Sequence, residues 1–216
     1  MRIGVFDSGI GGEAIAERLR ELLPHAEIIS VNDRAHMPYG NRTPAEIIEL
    51  TNSAIQPLLE LPCDAIVIAC NTATTVAIAE LRSLHPQTHF IGIEPMIKPA
   101  SSLTKTGHIA VCATPRTLQS ARYDELKRTW AADIEVIEPD CSQWAELIEY
   151  GKSDQIDIAA IMAPLVAKGV DVIVLGCTHY HWVKQRILDT VGDNITVLEP
   201  SDAIAERIKS LLNQVH

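Results

Sequence analysis

Short apolar runs rich in β-branched residues alternate along the chain with longer amphipathic stretches. Arg2 to Phe6, Ala26 to Val31, Asp64 to Cys70 and His89 to Ile93 read as strands. The apolar runs are continuous rather than alternating, the pattern of parallel strands covered on both faces. Glu13 to Leu23, Thr43 to about Leu61 and Thr72 to Leu84 carry helical periodicity between them. Thr43-Pro44-Ala45-Glu46 predicts a capping box with proline at the first helical position. Four more strands follow at His108 to Ala113, Ile134 to Ile137, Asp171 to Gly176 and Ile195 to Leu198.

The strand ends repeat at a nearly constant offset. Asp7 and Thr114, Asp33 and Asp140, and Cys70 and Cys177 are each 107 positions apart, while Glu94 and Glu199 are 105 apart. The expected fold class is α/β, with two similar pseudo-symmetric domains, each a small parallel sheet flanked by helices. Residues 1–96 form the first domain and 97–200 the second, with 96–103 as the crossover. The C-terminal helix, 201–216, is expected to return to the first domain. Ligands of open α/β sheets bind at the carboxyl ends of the strands, so the site is expected in the cleft between the two domains. Asp7, Ser8, Cys70, Asn71 and Thr72 would line it from one side, and Thr114, Thr117, Cys177, Thr178 and His179 from the other.

Composition narrows the classes. The chain has 216 residues, 47% hydrophobic and 21% charged, as in globular proteins with a core of useful size. Its formal charge of −10, without a basic cluster, argues against a nucleic-acid partner. No apolar run is long enough for a membrane span, so no membrane partner is expected. Met1-Arg2 leads straight into an apolar strand without a signal-peptide layout, which predicts a cytoplasmic location. Five cysteines at scattered positions (63, 70, 112, 141 and 177) argue against a disulfide framework and, lacking CxxC spacing, against structural zinc. Cys63, Cys112 and Cys141 read as core residues.

Cys70 and Cys177 read differently because of their symmetric placement. A cysteine between a strand and a helix start lies near the positive end of the helix dipole, which favours a thiolate. The same helix start attracts a carboxylate. Two thiols on either side of one molecule can invert a stereocentre: one takes a proton from carbon, the other returns one to the opposite face.

Val5-Phe6-Asp7-Ser8-Gly9-Ile10-Gly11-Gly12, Pro38-Tyr39-Gly40, Ala69-Cys70-Asn71-Thr72-Ala73, Thr114-x-x-Thr117 and Gly176-Cys177-Thr178-His179-Tyr180 together resemble the glutamate racemases of the aspartate/glutamate racemase superfamily. The resemblance runs from residue 3 to about residue 207. It implies a cofactor-independent enzyme that makes D-glutamate for peptidoglycan, with Cys70 and Cys177 as the two bases. Asp7 and His179 map to auxiliary groups, and Glu149, eight residues after Cys141, maps to an assisting acid. Ser8, Pro38, Tyr39, Gly40, Asn71, Thr72, Thr114, Thr117 and Thr178 map to substrate contacts. The implied partner is the small molecule glutamate, no cofactor or metal is implied, and a homodimer is compatible with the sequence. Family members usually continue for several tens of residues beyond Glu199-Pro200-Ser201-Asp202, so a tail that packs on the first domain is expected to be missing.

Blander readings stand beside these. Asp7 and Ser8 read equally as an Asx-type turn. Gly9-Ile10-Gly11-Gly12 lacks the spacing of a dinucleotide loop. Cys177, His179 and His181 supply at most three metal ligands from one loop. His181 reads as a helix-start residue, Asp33 and Asp140 as strand-end loop residues, and Trp130, Trp144 and Trp182 as packing residues. No lysine sits at a strand end for a pyridoxal-phosphate Schiff base, Lys98 being the nearest. The competing functions are another superfamily racemase or isomerase, acting on aspartate or a hydantoin, and a catalytically silent glutamate-binding homologue.

Overall fold

The computed structural model describes residues 1–212. The chain divides into two compact units, Met1–Glu94 with the described residues from Pro200 on, and Pro95–Glu199. The return of the C-terminal helix is seen through Leu212; residues 213–216 of that expected segment lie outside the described residues.

The first unit begins with β1 (Arg2–Asp7), α1 (Gly11–Leu22) and β2 (Glu27–Asn32), followed by α2 (Pro44–Ala54) and α3 (Gln56–Glu60). It continues with β3 (Ala65–Ile68), α4 (Asn71–Leu84) and β4 (Phe90–Gly92). The second holds α5 (Ile97–Leu103), β5 (His108–Ala113), α6 (Pro115–Leu118), α7 (Ala121–Trp130) and β6 (Glu135–Ile137). After these come α8 (Trp144–Glu149), α9 (Ile158–Ala167), β7 (Val172–Gly176), α10 (Lys184–Val191) and β8 (Thr196–Leu198). Helix α11 (Ser201–Leu212) belongs to the first unit. The sheets are parallel, with orders β2-β1-β3-β4 and β6-β5-β7-β8, so the α/β repeat read from the sequence is present.

Alternation along the central strands builds two apolar layers in the first unit. Ile3, Val5, Ala65 and Val67 face Ile15 and Leu19 of α1 and Ile204, Ala205 and Ile208 of α11. Phe6, Ile66 and Ile68 face Ile47, Leu58, Ala77 and Leu81 on the other side. In the second unit Ile109, Val111, Val172 and Val174 pack with Ile97, Ala100, Tyr123 and Leu126. Among the described residues, no helix is long and apolar enough to cross a membrane.

Several local expectations are corrected. The capping box forms, with Glu46 N–H donating to Thr43 Oγ1 at 3.3 Å and Thr43 N–H to Glu46 Oε2 at 2.8 Å. The helix it opens stops at Ala54 instead of running to Leu61. Pro57 lacks an N–H and opens the separate α3. The crossover segment folds as α5. The repeat is also less regular than a single offset. Ile66 stands opposite Phe90 and Ile173 opposite Val197, which keeps the offset of 107 for the third and fourth strands. Ile3, however, stands opposite Ala65, while Ile109 rather than Ala110 stands opposite Val172. The first strands are therefore displaced by one residue, and Thr114 corresponds to Ser8 rather than to Asp7.

The same aspartate starts the third strand of each sheet and ties down the approach to the first. Asp64 Oδ2 accepts from Arg2 N–H at 2.8 Å. Asp171 accepts from the Thr104 hydroxyl and from the N–H groups of Lys105 (2.6 Å) and Thr106 (3.0 Å). Burial works to raise the Asp171 carboxyl, but these hydrogen bonds outweigh it and hold the group below its usual value. A folded value below the unfolded one gives stability that is present above the unfolded value, about 3.9, and is lost as pH falls through the folded one. Asp171→Ala should lower unfolding stability by about 1–3 kcal/mol at neutral pH. Urea unfolding at a series of pH values checks this: the gap between parent and variant should narrow towards pH 2–3 (roughly the range set by), and a gap independent of pH refutes it.

Candidate active site

In the first unit, Cys70 is the N-cap of α4 and is buried, 6% exposed. Its backbone is extended, and its Sγ accepts from Ala73 N–H at 3.4 Å. This is how a cap residue satisfies an unpaired amide of the first helical turn, and how an anion is held at a helix start. Ser8 Oγ lies 3.2 Å from the same sulfur. The pairing of Phe6 with Ile68 carries β1 and β3 side by side to this point, which brings Ser8 level with Cys70. Asn71 and Thr72 are buried directly after the cysteine, and Asn71 Oδ1 has no hydrogen-bond partner among the described residues.

Asp7 is fully buried at the end of β1, and its Oδ2 accepts from Gly9 N–H at 2.9 Å. The Asx-type turn is therefore real, and it fixes the carboxyl on the α1 face. Tyr39 follows Pro38 and, with Gly40, belongs to a short 3-10 turn, Tyr39–Asn41. Its ring is buried 6.3 Å from that of Phe6, and its hydroxyl donates to Asp33 Oδ2 at 2.7 Å. Burial first, then the Asp33 carboxylate and the Cys70 sulfur, push the Tyr39 phenol far above the usual tyrosine range. Asp33 also meets His36 Nδ1 at 2.8 Å, so it is more than the strand-end loop residue that the sequence suggested. By contrast Asp140 accepts from the nearby Ser142 N–H at 3.0 Å.

In the second unit, β7 ends at Gly176 and Cys177 follows. A Cβ on Gly176 would stand 2.9 Å from the Ala113 Cβ, so glycine is what lets β5 and β7 close at this edge. Cys177 does not cap an α-helix, as the sequence reading assumed. It precedes a 3-10 segment, Thr178–Val183, and makes no cap bond. Its sulfur lies 3.9 Å from His179 Nδ1 instead. The other ring nitrogen, Nε2, meets Glu149 Oε2 at 2.9 Å, and the two side chains are 5% and 4% exposed. With a carboxylate accepting from Nε2–H, the Nδ1 lone pair faces the thiol. Glu149, which only the resemblance pointed to, is thus joined to His179.

Thr114 caps α6, with Thr117 N–H donating to its Oγ1 at 3.4 Å and the two hydroxyls 3.1 Å apart. Thr178 is buried beside Cys177. Tyr180 supports the loop by donating to the Cys141 carbonyl at 2.8 Å and packing edge-on against Trp144 at 5.1 Å. Cys112 and Cys141 are buried, as core residues should be. A hydrogen bond with Cys112, and then burial, push the Cys141 thiol far above its usual range. Trp144 packs as expected, but Trp130 and Trp182 are 42% and 48% exposed and are not core residues. His181 lies inside the 3-10 segment, 3.9 Å from Glu199, rather than at a helix start.

Sequence reasoning missed Glu13, Ser30 and Asn32. Ser30 Oγ and Asn32 Nδ2 both donate to the Glu13 carboxylate. The available signal was two polar residues at alternate positions of β2, on a face that otherwise meets α1 with apolar side chains.

The model of the Asp/Glu/hydantoin racemase family matches residues 12–208, and the chain belongs to that family. It is 42% identical to the glutamate racemase of Herpetosiphon aurantiacus, over 97% of this chain and 84% of that protein. The crystal structure of Escherichia coli glutamate racemase, in complex with L-glutamate and the activator UDP-MurNAc-Ala, superposes with a TM-score of 0.88 at 30% identity, covering 98% of this chain and 82% of that one. The Francisella tularensis glutamate racemase in complex with D-glutamate gives a TM-score of 0.81 at 29% identity, covering 99% and 81%.

Glu149→Ala should remove the acceptor of a buried imidazole N–H and lower stability by about 1–3 kcal/mol. Glu149→Gln, which still offers an oxygen, should recover part of the loss. Thermal unfolding midpoints, with the His179 ring nitrogens followed by NMR, check this; an unchanged ring signal in the alanine variant refutes it.

Proposed function

We propose that this protein racemises glutamate without a cofactor, with Cys70 and Cys177 as the two bases. One thiolate takes the α-proton: the C–H bond breaks, an S–H bond forms, and the electron pair stays on carbon, delocalised into the carboxylate. The other thiol protonates the opposite face, breaking its S–H bond. Starting from the other enantiomer, the two cysteines exchange roles.

The helpers are unequal. On the Cys177 side, the Nδ1 lone pair of His179 receives the thiol proton, and Glu149 steadies the imidazolium that forms. On the Cys70 side, the Ala73 N–H stabilises a sulfur anion, and Asp7 is the auxiliary acid of that half. Asn71, Thr72 and Ser8, with Pro38, Tyr39 and Gly40, hold substrate there. Thr114, Thr117 and Thr178 do so on the other side. The unpaired Asn71 oxygen suits the substrate ammonium. The product D-glutamate would serve peptidoglycan synthesis in the cytoplasm.

The observation that carries the reading is the matching of two cysteines. Each follows the third strand of its own four-stranded sheet, and the sheets share one strand order, in a chain of the Asp/Glu/hydantoin racemase family. Optical activity of L-glutamate should decay with the purified protein, and solvent deuterium should enter the α position. Cys70→Ser and Cys177→Ser should each slow racemisation by a factor of about 100 or more, the order of general acid–base contributions. Decay that persists in the double variant overturns the two-base assignment. Stabilisation by glutamate without deuterium uptake overturns catalysis in favour of binding alone, and faster turnover of aspartate or a hydantoin overturns the substrate.

A further inference from the structure

The network around the end of β2 is not used by the mechanism above. Asp7 and Asn32 are register partners in the β1–β2 ladder. Register partners on neighbouring strands point to the same face, about 5 Å apart. That face carries α1, and there the two side chains crowd Gly12. A Cβ on Gly12 would lie 2.4 Å from the Asp7 Cβ and 2.8 Å from Asn32 Oδ1. Glycine at 12 is therefore what lets both Asp7 and Asn32 lie close over the first turn of α1.

The amide has one orientation. Its Nδ2 donates to Glu13 Oε1, and the same carboxylate also accepts from Ser30 Oγ at 3.2 Å. Turning the amide over would set Oδ1 against a carboxylate. Held this way, Asn32 Oδ1 is buried and has no hydrogen-bond partner among the described residues. A buried acceptor left unpaired is costly, about 1–3 kcal/mol. Asp7, its lateral neighbour, can donate only when its carboxyl carries a proton.

We propose that Asn32, locked by Glu13, is a positioning residue for Asp7, its unpaired amide oxygen receiving the hydrogen of the protonated Asp7 carboxyl. This makes Asp7 hold a proton more firmly than a carboxyl at a strand end otherwise would. It rests on the reading above that Asp7 assists the Cys70 half-reaction, and it adds how that acid is kept charged with its proton. The other titratable groups on the elements packed against the end of β1 are Glu13 at the start of α1 with Glu17, Arg18, Arg20 and Glu21 further along it, Asp33 with Arg34, His36 and Tyr39 after β2, and Cys70 after β3. None of them is altered in the decisive variants.

Those variants are Asn32→Val and Asn32→Ala. Both remove the acceptor, and valine keeps a strand-favouring side chain, so the edge strand is retained in at least one of them. Ser30 continues to hold Glu13 in both. Any freeing of the Glu13 charge would strengthen proton binding at Asp7, opposite to the effect sought. The measurement is the side-chain carboxyl carbon signal of Asp7, followed by NMR against pH without substrate and assigned by its loss in Asp7→Asn. Losing one hydrogen bond to the acid form should move the titration midpoint down by about one pH unit. In racemisation assays the limb of the kcat profile that reports this acid should move in the same direction, with KM little changed. An Asp7 midpoint that stays in place, or rises, in the variants overturns the proposal. A parent protein without racemase activity refutes the proposed function alone, because the carboxyl titration is read without turnover.

Discussion

The pairing of the first strand with the third, at the centre of each sheet, is the constraint on which the rest depends. Both central strands are covered on both faces, so their buried positions are apolar up to the last residue of β1, Asp7. Polar chemistry on the central strands is pushed to their ends and to the residues that follow them. In the first sheet the ladder sets Ser8 beside Cys70, and in the second the close contact of Ala113 with Gly176 sets where Cys177 emerges. The sulfur positions are thus consequences of backbone register, and register is held by the same apolar side chains that make the core.

From equivalent strand ends, the two sulfurs enter different electrostatic surroundings. Cys70 is held by an amide at the start of a fourteen-residue helix. Cys177 is followed by a 3-10 segment, and what stands beside it is an imidazole braced by a buried carboxylate. A buried histidine–glutamate pair is tolerated only when each partner satisfies the other, because removing either leaves a polar group unpaired in a low-dielectric setting. The short helix α8 delivers Glu149 to that position, and the Trp144–Tyr180 contact anchors it against the loop that carries His179. The first unit solves the equivalent problem with a backbone donor, and spends its carboxylates on Tyr39 and on the edge strand instead.

Much of this was legible in the sequence. Continuous β-branched runs identified all eight strands, because strands buried on both faces leave a signal that needs no tertiary information. Residue type and symmetric spacing likewise singled out Cys70 and Cys177, whereas Glu149 was pointed to only by the family resemblance. The signals that failed were those set by a competing local rule. Pro57 divides a helix whose apolar period runs on without a break, and Trp130 and Trp182 lie exposed although residue type favours burial.

The sequence by itself determined the α/β alternation, the near-repeat of the two halves and the order of polar residues at the strand ends, since these follow from hydrophobic period and chain position. Only the tertiary structure decided which of those residues meet. Ladder register matched Thr114 with Ser8 instead of Asp7, a one-residue displacement that equal spacing in sequence hides. It also set Asn32 against Asp7 and gave Glu13 two donors from an edge strand. Side chains 17 to 25 residues apart become neighbours only through strand pairing and helix packing, which act across space and leave no local mark on the chain.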